Sequence, residues 1–217
     1  MLNEECLKRD IVVIGASAGG LEALNTLFEA LPADVPAAVC IVLHRSPIYN
    51  DNLAKVMSRW TKLRLVEPER ELLSPGTVYI APRDHHLVID GPHVQRWRGP
   101  SENRFRPAVD PLFRSAANQH GARVVGVMLS GAGSDGVAGL TAITSAGGLS
   151  LVQDPSEAVI ASMPRHALRG THIDSVLPMG HMAGTLTRLA RGEAVLQQLN
   201  DPLANDPTAY TATPRQR

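Results

Sequence analysis

The chain has 217 residues, 44% of them hydrophobic and 19% charged, which supplies apolar material for a full core in the proportion ordinary for a globular protein. Its 21 Lys and Arg balance 21 Asp and Glu, so the chain as a whole lacks the basic footprint of a nucleic-acid or anionic-membrane binder. The opening "MLNEECLKRD" has no apolar stretch behind a basic start, and no apolar run reaches bilayer length, so neither a secretory signal nor a spanning helix is expected.

Residues 1–9 read as a polar leader. The first structured element is then "IVVIGA" (11–16), a β-branched run that breaks into the small-residue turn "SAGG" and continues with the helical spacing of "GLEALNTLFEAL" (20–31). A second apolar run, "PAAVCIVLH" (36–44), is followed by a helical "DNLAKVMSRW" (51–60). "GTVYIAPRDHHLVIDGPHVQRW" (76–97) contains the strand "VYIAP" and short alternating segments joined by Asp90-Gly91-Pro92, which predicts a local antiparallel insertion or hairpin. Helical "VDPLFRSAANQHG" (109–121), the run "ARVVGVMLS" (122–130), helical "DGVAGLTAITSAGG" (135–148), the strands "LSLV" (149–152) and "DSVLP" (174–178) and a last helix from 179 to 192 complete the pattern. Strands alternating with helices predict an α/β fold: a three-layer α/β/α sandwich on a mostly parallel, doubly wound sheet, with a small antiparallel hairpin insertion. The domain spans 10–193. Residues 194–217, rich in Pro, Asn and Thr without apolar period, read as a disordered tail. Cys6 and Cys40 fall in a charged leader and an apolar run, which suits neither a disulfide framework nor a zinc site and points to a reduced, cytoplasmic protein.

In an open α/β sheet, ligands bind beyond the carboxyl ends of the strands. Three polar residues follow apolar runs there: Ser17, His44 and Asp135. The set is chemically complete for acyl transfer, since a serine hydroxyl needs an imidazole to take its proton and a carboxylate to hold the imidazole's tautomer. The turn around Ser17 permits a tight bend that exposes the hydroxyl, and backbone N–H groups near Ala18 and near Ala132, in the second small-residue loop "SGAGSDG" (130–136), are candidate oxyanion donors. Each residue also has a plainer reading: Ser17 and Asp135 as helix N-caps, His44 as a strand-end histidine bonded to backbone. Nucleotide binding is the rival use of the turn. "GASAGG" departs from G-x-G-x-x-G at the second glycine, no acidic residue ends the second strand, and no G-K-[ST] follows for a P-loop.

The blocks "IGASAGG", "IVLHRSP", "YIAPRDHHLVI", "RPAVDPLFRSAA", "GVMLSGAGSDGVAGL" and "QDPSEAVIASMPRHAL", in that order over about residues 10–190, resemble the catalytic domain of the CheB chemotaxis protein-glutamate methylesterases. The resemblance implies hydrolysis of γ-glutamyl methyl esters on the cytoplasmic helices of chemoreceptors, with deamidation of receptor glutamines by the same site. It assigns Ser17 as nucleophile, His44 as general base, Asp135 as the orienting carboxylate and the amide of Ala132 to the oxyanion hole, and it implies no metal or organic cofactor. The family often has Thr and Met where this chain has Ala18 and Ala132. Typical members carry an N-terminal receiver domain, and the start of the fold near residue 10 predicts a stand-alone form working with a methyltransferase or histidine kinase of a chemosensory complex. Arg104 and Arg106 are candidates to meet acidic receptor helices, and Met163, beside Pro164, is a candidate to shape the pocket. His85-His86 reads as a solvated pair, because neighbours on a strand face opposite ways. Hydrolysis of another ester, and a non-catalytic binding module, are the competing functions.

Overall fold

The computed structural model describes residues 7–45, 52–193 and 195. In chain order its elements are β1 (Ile11–Ala16), α1 (Gly20–Ala30), β2 (Ala38–Leu43), α2 (Leu53–Met57), β3 (Arg64–Val66), β4 (Arg70–Leu72), β5 (Thr77–Ile80), β6 (His86–Asp90), β7 (His93–Trp97), α3 (Val109–His120), β8 (Val124–Met128), α4 (Val137–Ser145), β9 (Leu149–Gln153), α5 (Ser162–Gly170), β10 (Ser175–Leu177) and α6 (Met179–Ala190).

Seven strands form one sheet in the order β10-β9-β8-β1-β2-β5-β3, and every pairing in it is parallel. Its central strands are buried on both faces, which is why they read as continuous apolar runs. Alternate residues supply two cores. Val12, Ile14, Val39 and Ile41 pack under α1 and α6, whereas Ile11, Val13, Ala38 and Cys40 pack under α3, α4 and α5. In α1 the buried residues Gly20, Ala23, Leu24, Leu27 and Phe28 recur at helical spacing, so one stripe seals the first face.

The 76–97 segment is not one hairpin. Thr77–Ile80 is fully buried and joins the main sheet between β2 and β3, while the turn at Asp90–Gly91 joins β6 to β7 and β4 adds a third antiparallel strand, Arg70–Leu72 against Gln95–His93. His86 is also not solvated. It is fully buried; its Nε2 donates to the Pro100 carbonyl (2.9 Å) and its Nδ1 accepts from the Ala108 amide (3.2 Å), so it pins both ends of the 98–108 loop against β6. The sequence-based tail falls outside the described residues apart from Val195, which is buried in the first core. The leader also lies outside them up to residue 6, as does Cys6, and residues 7–9 carry no regular secondary structure. Among the described residues no helix is long and apolar enough to cross a membrane.

Candidate active site

The strand order reverses at β1, whose neighbours are β2 on one side and β8 on the other. Connections leave in opposite directions there, and a crevice opens at the carboxyl ends. Ala16 is in register with Leu43, and the His44 amide extends the ladder by donating to the Ala16 carbonyl at 3.0 Å. Ser17 and His44 therefore leave adjacent strands side by side. On the other flank the Ser17 amide donates to the Ser130 carbonyl (3.0 Å), which fastens the turn to the loop after β8.

The turn closes when the Gly20 amide donates to the Ser17 carbonyl at 2.9 Å, and the left-handed residue within it is Gly19 (φ 74°). Ser17 thus keeps an ordinary backbone, and Gly19, not Ser17, is the N-cap of α1. A Cβ at Gly19 would lie 2.5 Å from Cβ of Val159 and 2.7 Å from the Ser130 hydroxyl, so both conformation and space require glycine there. Ser130 ties the same turn from its side chain, donating to the Ala18 carbonyl (2.9 Å) and accepting from the Ile160 amide (3.0 Å).

Asp135 is not the cap of its own helix: Gly136 holds the N-cap position of α4 without a side-chain bond. The carboxylate reaches instead to His44 and to the start of α3. Its Oδ2 accepts from His44 Nε2 at 2.7 Å and from the Val109 amide at 2.6 Å; its Oδ1 accepts from Asn103 Nδ2 at 2.7 Å and from the Asp110 amide at 3.2 Å. Burial of Asp135 pushes its pKa up, but the hydrogen bonds from His44, Val109 and Asn103 more than offset this and hold the carboxyl below its ordinary 3.8. It is an anion on the first amides of a helix, where the macrodipole favours negative charge.

With Nε2 engaged, Nδ1 of His44 is the ring nitrogen left; it is buried and has no hydrogen-bond partner. One face of the imidazole is covered by Phe105, with ring centroids 3.7 Å apart and planes 10° from parallel. The ring is held by a carboxylate at its edge and an aromatic on its face, so its rotation is blocked in two directions.

The Ala18 and Ala132 amides have no hydrogen-bond acceptor among the described residues, and Ala132 lines a cavity of about 460 Å³ with Asn103, Arg104, Phe105 and Asp135. The Gly131 amide is committed to the Ile160 carbonyl (2.9 Å) and its carbonyl to the Met163 amide (2.8 Å). A Cβ on Gly131 would stand 2.8 Å from Ser17 Cβ and collide with the Met163 sulfur, so fully buried Met163 backs the Ser17 turn rather than lining open space. Arg104 is exposed on the cavity rim. Arg106 is engaged elsewhere: its Nε donates to Asp84 Oδ1 (2.8 Å) and its Nη1 to the Gly99 carbonyl (2.8 Å), bracing the 98–108 loop.

Three residues of this site escaped the sequence reading: Asn103, Phe105 and Asp110. Asn103 uses one amide nitrogen for two buried carboxylates, Asp135 at 2.7 Å and Asp110 at 2.8 Å. Asp110 Oδ1 accepts from the Gly139 amide in the first turn of α4 at 2.7 Å. Burial, and then the charge of Asp135, raise the Asp110 pKa against the hydrogen bonds from Gly139 and Asn103. Among the described residues no three His, Cys, Asp or Glu side chains are grouped to hold a metal ion.

The CheB methylesterase family model matches residues 12–186. A protein-glutamate methylesterase/protein-glutamine glutaminase of Methanosarcina mazei is 37% identical over 201 residues, 88% of this chain and 54% of the relative. A Trichodesmium erythraeum protein of the same name is 38% identical over 84% of this chain and 53% of its own length, so the chain spans about half the length of these relatives. A putative protein-glutamate methylesterase/protein-glutamine glutaminase of Leptospira interrogans is 36% identical over 83% of this chain and 94% of its own length. The crystal structure of the Thermotoga maritima CheB methylesterase catalytic domain superposes with a TM-score of 0.77 at 30% identity, covering 84% of this chain and all of that one. With the motif blocks, the matched span and the superposed fold in agreement, the chain belongs to the CheB methylesterase family.

Proposed function

We propose that the protein is a serine hydrolase that removes methyl groups from γ-glutamyl methyl esters on the cytoplasmic helices of chemoreceptors, and that the same site deamidates receptor glutamines. The observation that carries this reading is the 2.7 Å bond between His44 Nε2 and Asp135, on a ring whose other nitrogen is unpartnered and whose neighbour on the next strand is Ser17. The names of the relatives support the substrate class.

In the proposed reaction Nδ1 of His44 takes the Ser17 hydroxyl proton as Oγ attacks the ester carbonyl, forming a tetrahedral oxyanion. The amides of Ala18 and Ala132 receive that charge; donors of this kind are worth roughly 10²–10³ in rate each. His44 then gives the proton to the departing methoxide, so methanol leaves and the glutamyl acyl group stays on Ser17. A water, deprotonated by His44, attacks the acyl-enzyme; the C–Oγ bond breaks, the proton returns to Ser17 and free glutamate is released. Asp135 stays ionised throughout and holds Nε2–H, which fixes the tautomer with Nδ1 as base. With glutamine, the leaving group is ammonia and the rest is unchanged. The protein acts in the cytoplasm, alongside a methyltransferase or histidine kinase of a chemosensory complex.

The test is methanol release from a methylated receptor cytoplasmic fragment, with Ser17→Ala as control. Release by the wild type and its loss in the variant support the reading. Turnover of simple esters without release from the receptor fragment would favour a different ester substrate, and binding of the fragment without any turnover would favour a non-catalytic module.

A further inference from the structure

The cavity beside Ala132 shares two wall residues, Asn103 and Ser134, with a second cavity of about 550 Å³ between α4 and α5. The two form one trough that leads from Ala132 and Asp135 past Asn103 to His166 and Arg169 on α5. Its arginines differ from most of the others described, although exposed Arg59 is likewise without an ion pair among the described residues. Ten other arginines are ion-paired with Asp or Glu: Arg45, Arg64, Arg70, Arg96, Arg98, Arg106, Arg114, Arg123, Arg188 and Arg191. Arg104 and Arg169 line the trough, and Arg165 stands one turn before Arg169 on α5, outside the lining; all three are exposed and have no anionic partner among the described residues. The sequence of α5, "SMPRHALRG", contains no acid. The two carboxylates at the floor, Asp110 and Asp135, are buried and take up backbone and Asn103 donors, whereas Arg104 and Arg169 at the rim are exposed.

We propose that this trough seats an acidic polypeptide, with glutamate side chains flanking the reacting ester paired to Arg104 on one side and to Arg165 and Arg169 on the other. The inference rests on the methylesterase reading and adds a substrate preference to it. Guanidinium groups suit the task because each presents a planar fork of donors to a carboxylate. It also has a consequence that the chemistry dictates. Each hydrolysis replaces a neutral ester by a carboxylate, so a substrate with several sites binds more tightly as its neighbours are hydrolysed.

The experiment uses the full chain carrying Ser17→Ala and fluorescence anisotropy with two labelled peptides, each bearing one γ-glutamyl methyl ester, flanked by glutamates in one and by glutamines in the other. At low salt the acidic peptide is expected to bind about tenfold more tightly, an advantage that vanishes at high salt because the pairs are exposed. The double replacement Arg165→Ala/Arg169→Ala removes most of the difference, and Arg165→Lys/Arg169→Lys restores part of it. Equal affinity for the two peptides, no binding of either, or a preference that survives the alanine replacements overturns the proposal. Hydrolysis of a small neutral ester by the chain with native Ser17 is measured separately and should be unchanged by the α5 replacements. Loss of esterase activity with an intact acidic preference would sink the methylesterase reading and leave the surface standing.

Discussion

Asp135 and Asp110 cap each other's helices. Asp135, just ahead of α4, accepts from the first two amides of α3, and Asp110, in the first turn of α3, accepts from the Gly139 amide of α4. The third residue of α3 is Pro111, which has no N–H to satisfy, so the start of that helix is almost fully accounted for by one carboxylate. The group that holds His44 is thereby held by two helices.

Asp135→Asn is therefore expected to harm the fold as well as the chemistry. Both carboxylate oxygens accept from a backbone amide, so wherever the new NH2 points it faces an N–H donor. A stability loss of about 1–3 kcal/mol in urea unfolding is expected, together with a large loss of turnover. The pH dependence has a definite sign. Because the folded-state pKa of Asp135 lies below the ordinary 3.8, its contribution is present above that value and fades as pH falls through the lowered one. The gap between wild type and variant should thus narrow in acid; a gap independent of pH would show that the ionised carboxylate adds nothing to stability.

Asp110 behaves in the opposite sense. Its raised pKa makes its protonated form the one that folding favours, so its contribution is fully present below 3.8 and is lost as pH rises through the folded value. Asn103 keeps the two acids apart in charge, and Asn103→Asp puts a third carboxyl between them. This variant is expected to unfold more readily at neutral pH than at pH 5, as followed by thermal melts. Asn103→Ala, which removes the bridge without adding charge, should show a smaller loss.

Phe105→Ala uncovers one face of His44. The stack is worth roughly 0.5–1.5 kcal/mol beyond the area it buries. The expected result is a fall in kcat of about tenfold or less through loss of ring alignment, with Phe105→Tyr retaining most of the activity. A KM effect alone would assign Phe105 to substrate binding instead.

Gly131→Ala places a methyl group 2.8 Å from Ser17 Cβ and against the Met163 sulfur. Overpacking of this kind costs typically 1–3 kcal/mol, and here the strain falls on the proposed nucleophile. Activity should drop by more than the loss of stability accounts for. Pairing it with Met163→Ala should recover part of the activity, which kinetics on the double variant would reveal.

Much of this was legible in the sequence because the central strands are long and buried on both sides. β1, β2 and β8 each read as an apolar run with a small-residue or polar terminus, and the residues just beyond them, Ser17, His44 and the Asp135 loop, are the ones the structure brings to one edge. What was missed lacks period. β3 and β4 have three residues each, too few to show alternation, and α5 begins in a segment read only as a motif beside Pro164. Asn103 and Phe105 sit in "SENRFRPAVD", whose residues have no apolar spacing; the left-handed backbone of Asn103 (φ 50°) and Arg104 (φ 73°), which aims their side chains, is invisible in composition. His86 was misplaced because alternation sets which face a side chain takes but not what covers that face, and here the 98–108 loop folds over it. A sequence clue to Asp110 did exist: an acid in the first turn of a helix, just before a proline.

The bond from Asp135 to Nε2 has one more consequence, for chemical labelling. In serine proteases of the trypsin kind the carboxylate holds Nδ1 and the outer nitrogen faces the serine; here the carboxylate takes the outer nitrogen and the inner one, next to the ring's attachment to the main chain, is left. An affinity reagent carrying a haloketone into this site would alkylate the inner nitrogen and yield the π-substituted histidine, where the protease arrangement yields the τ isomer. Digestion of the labelled protein and chromatography against the two synthetic standards would distinguish them, and so read the orientation of a single ring in solution.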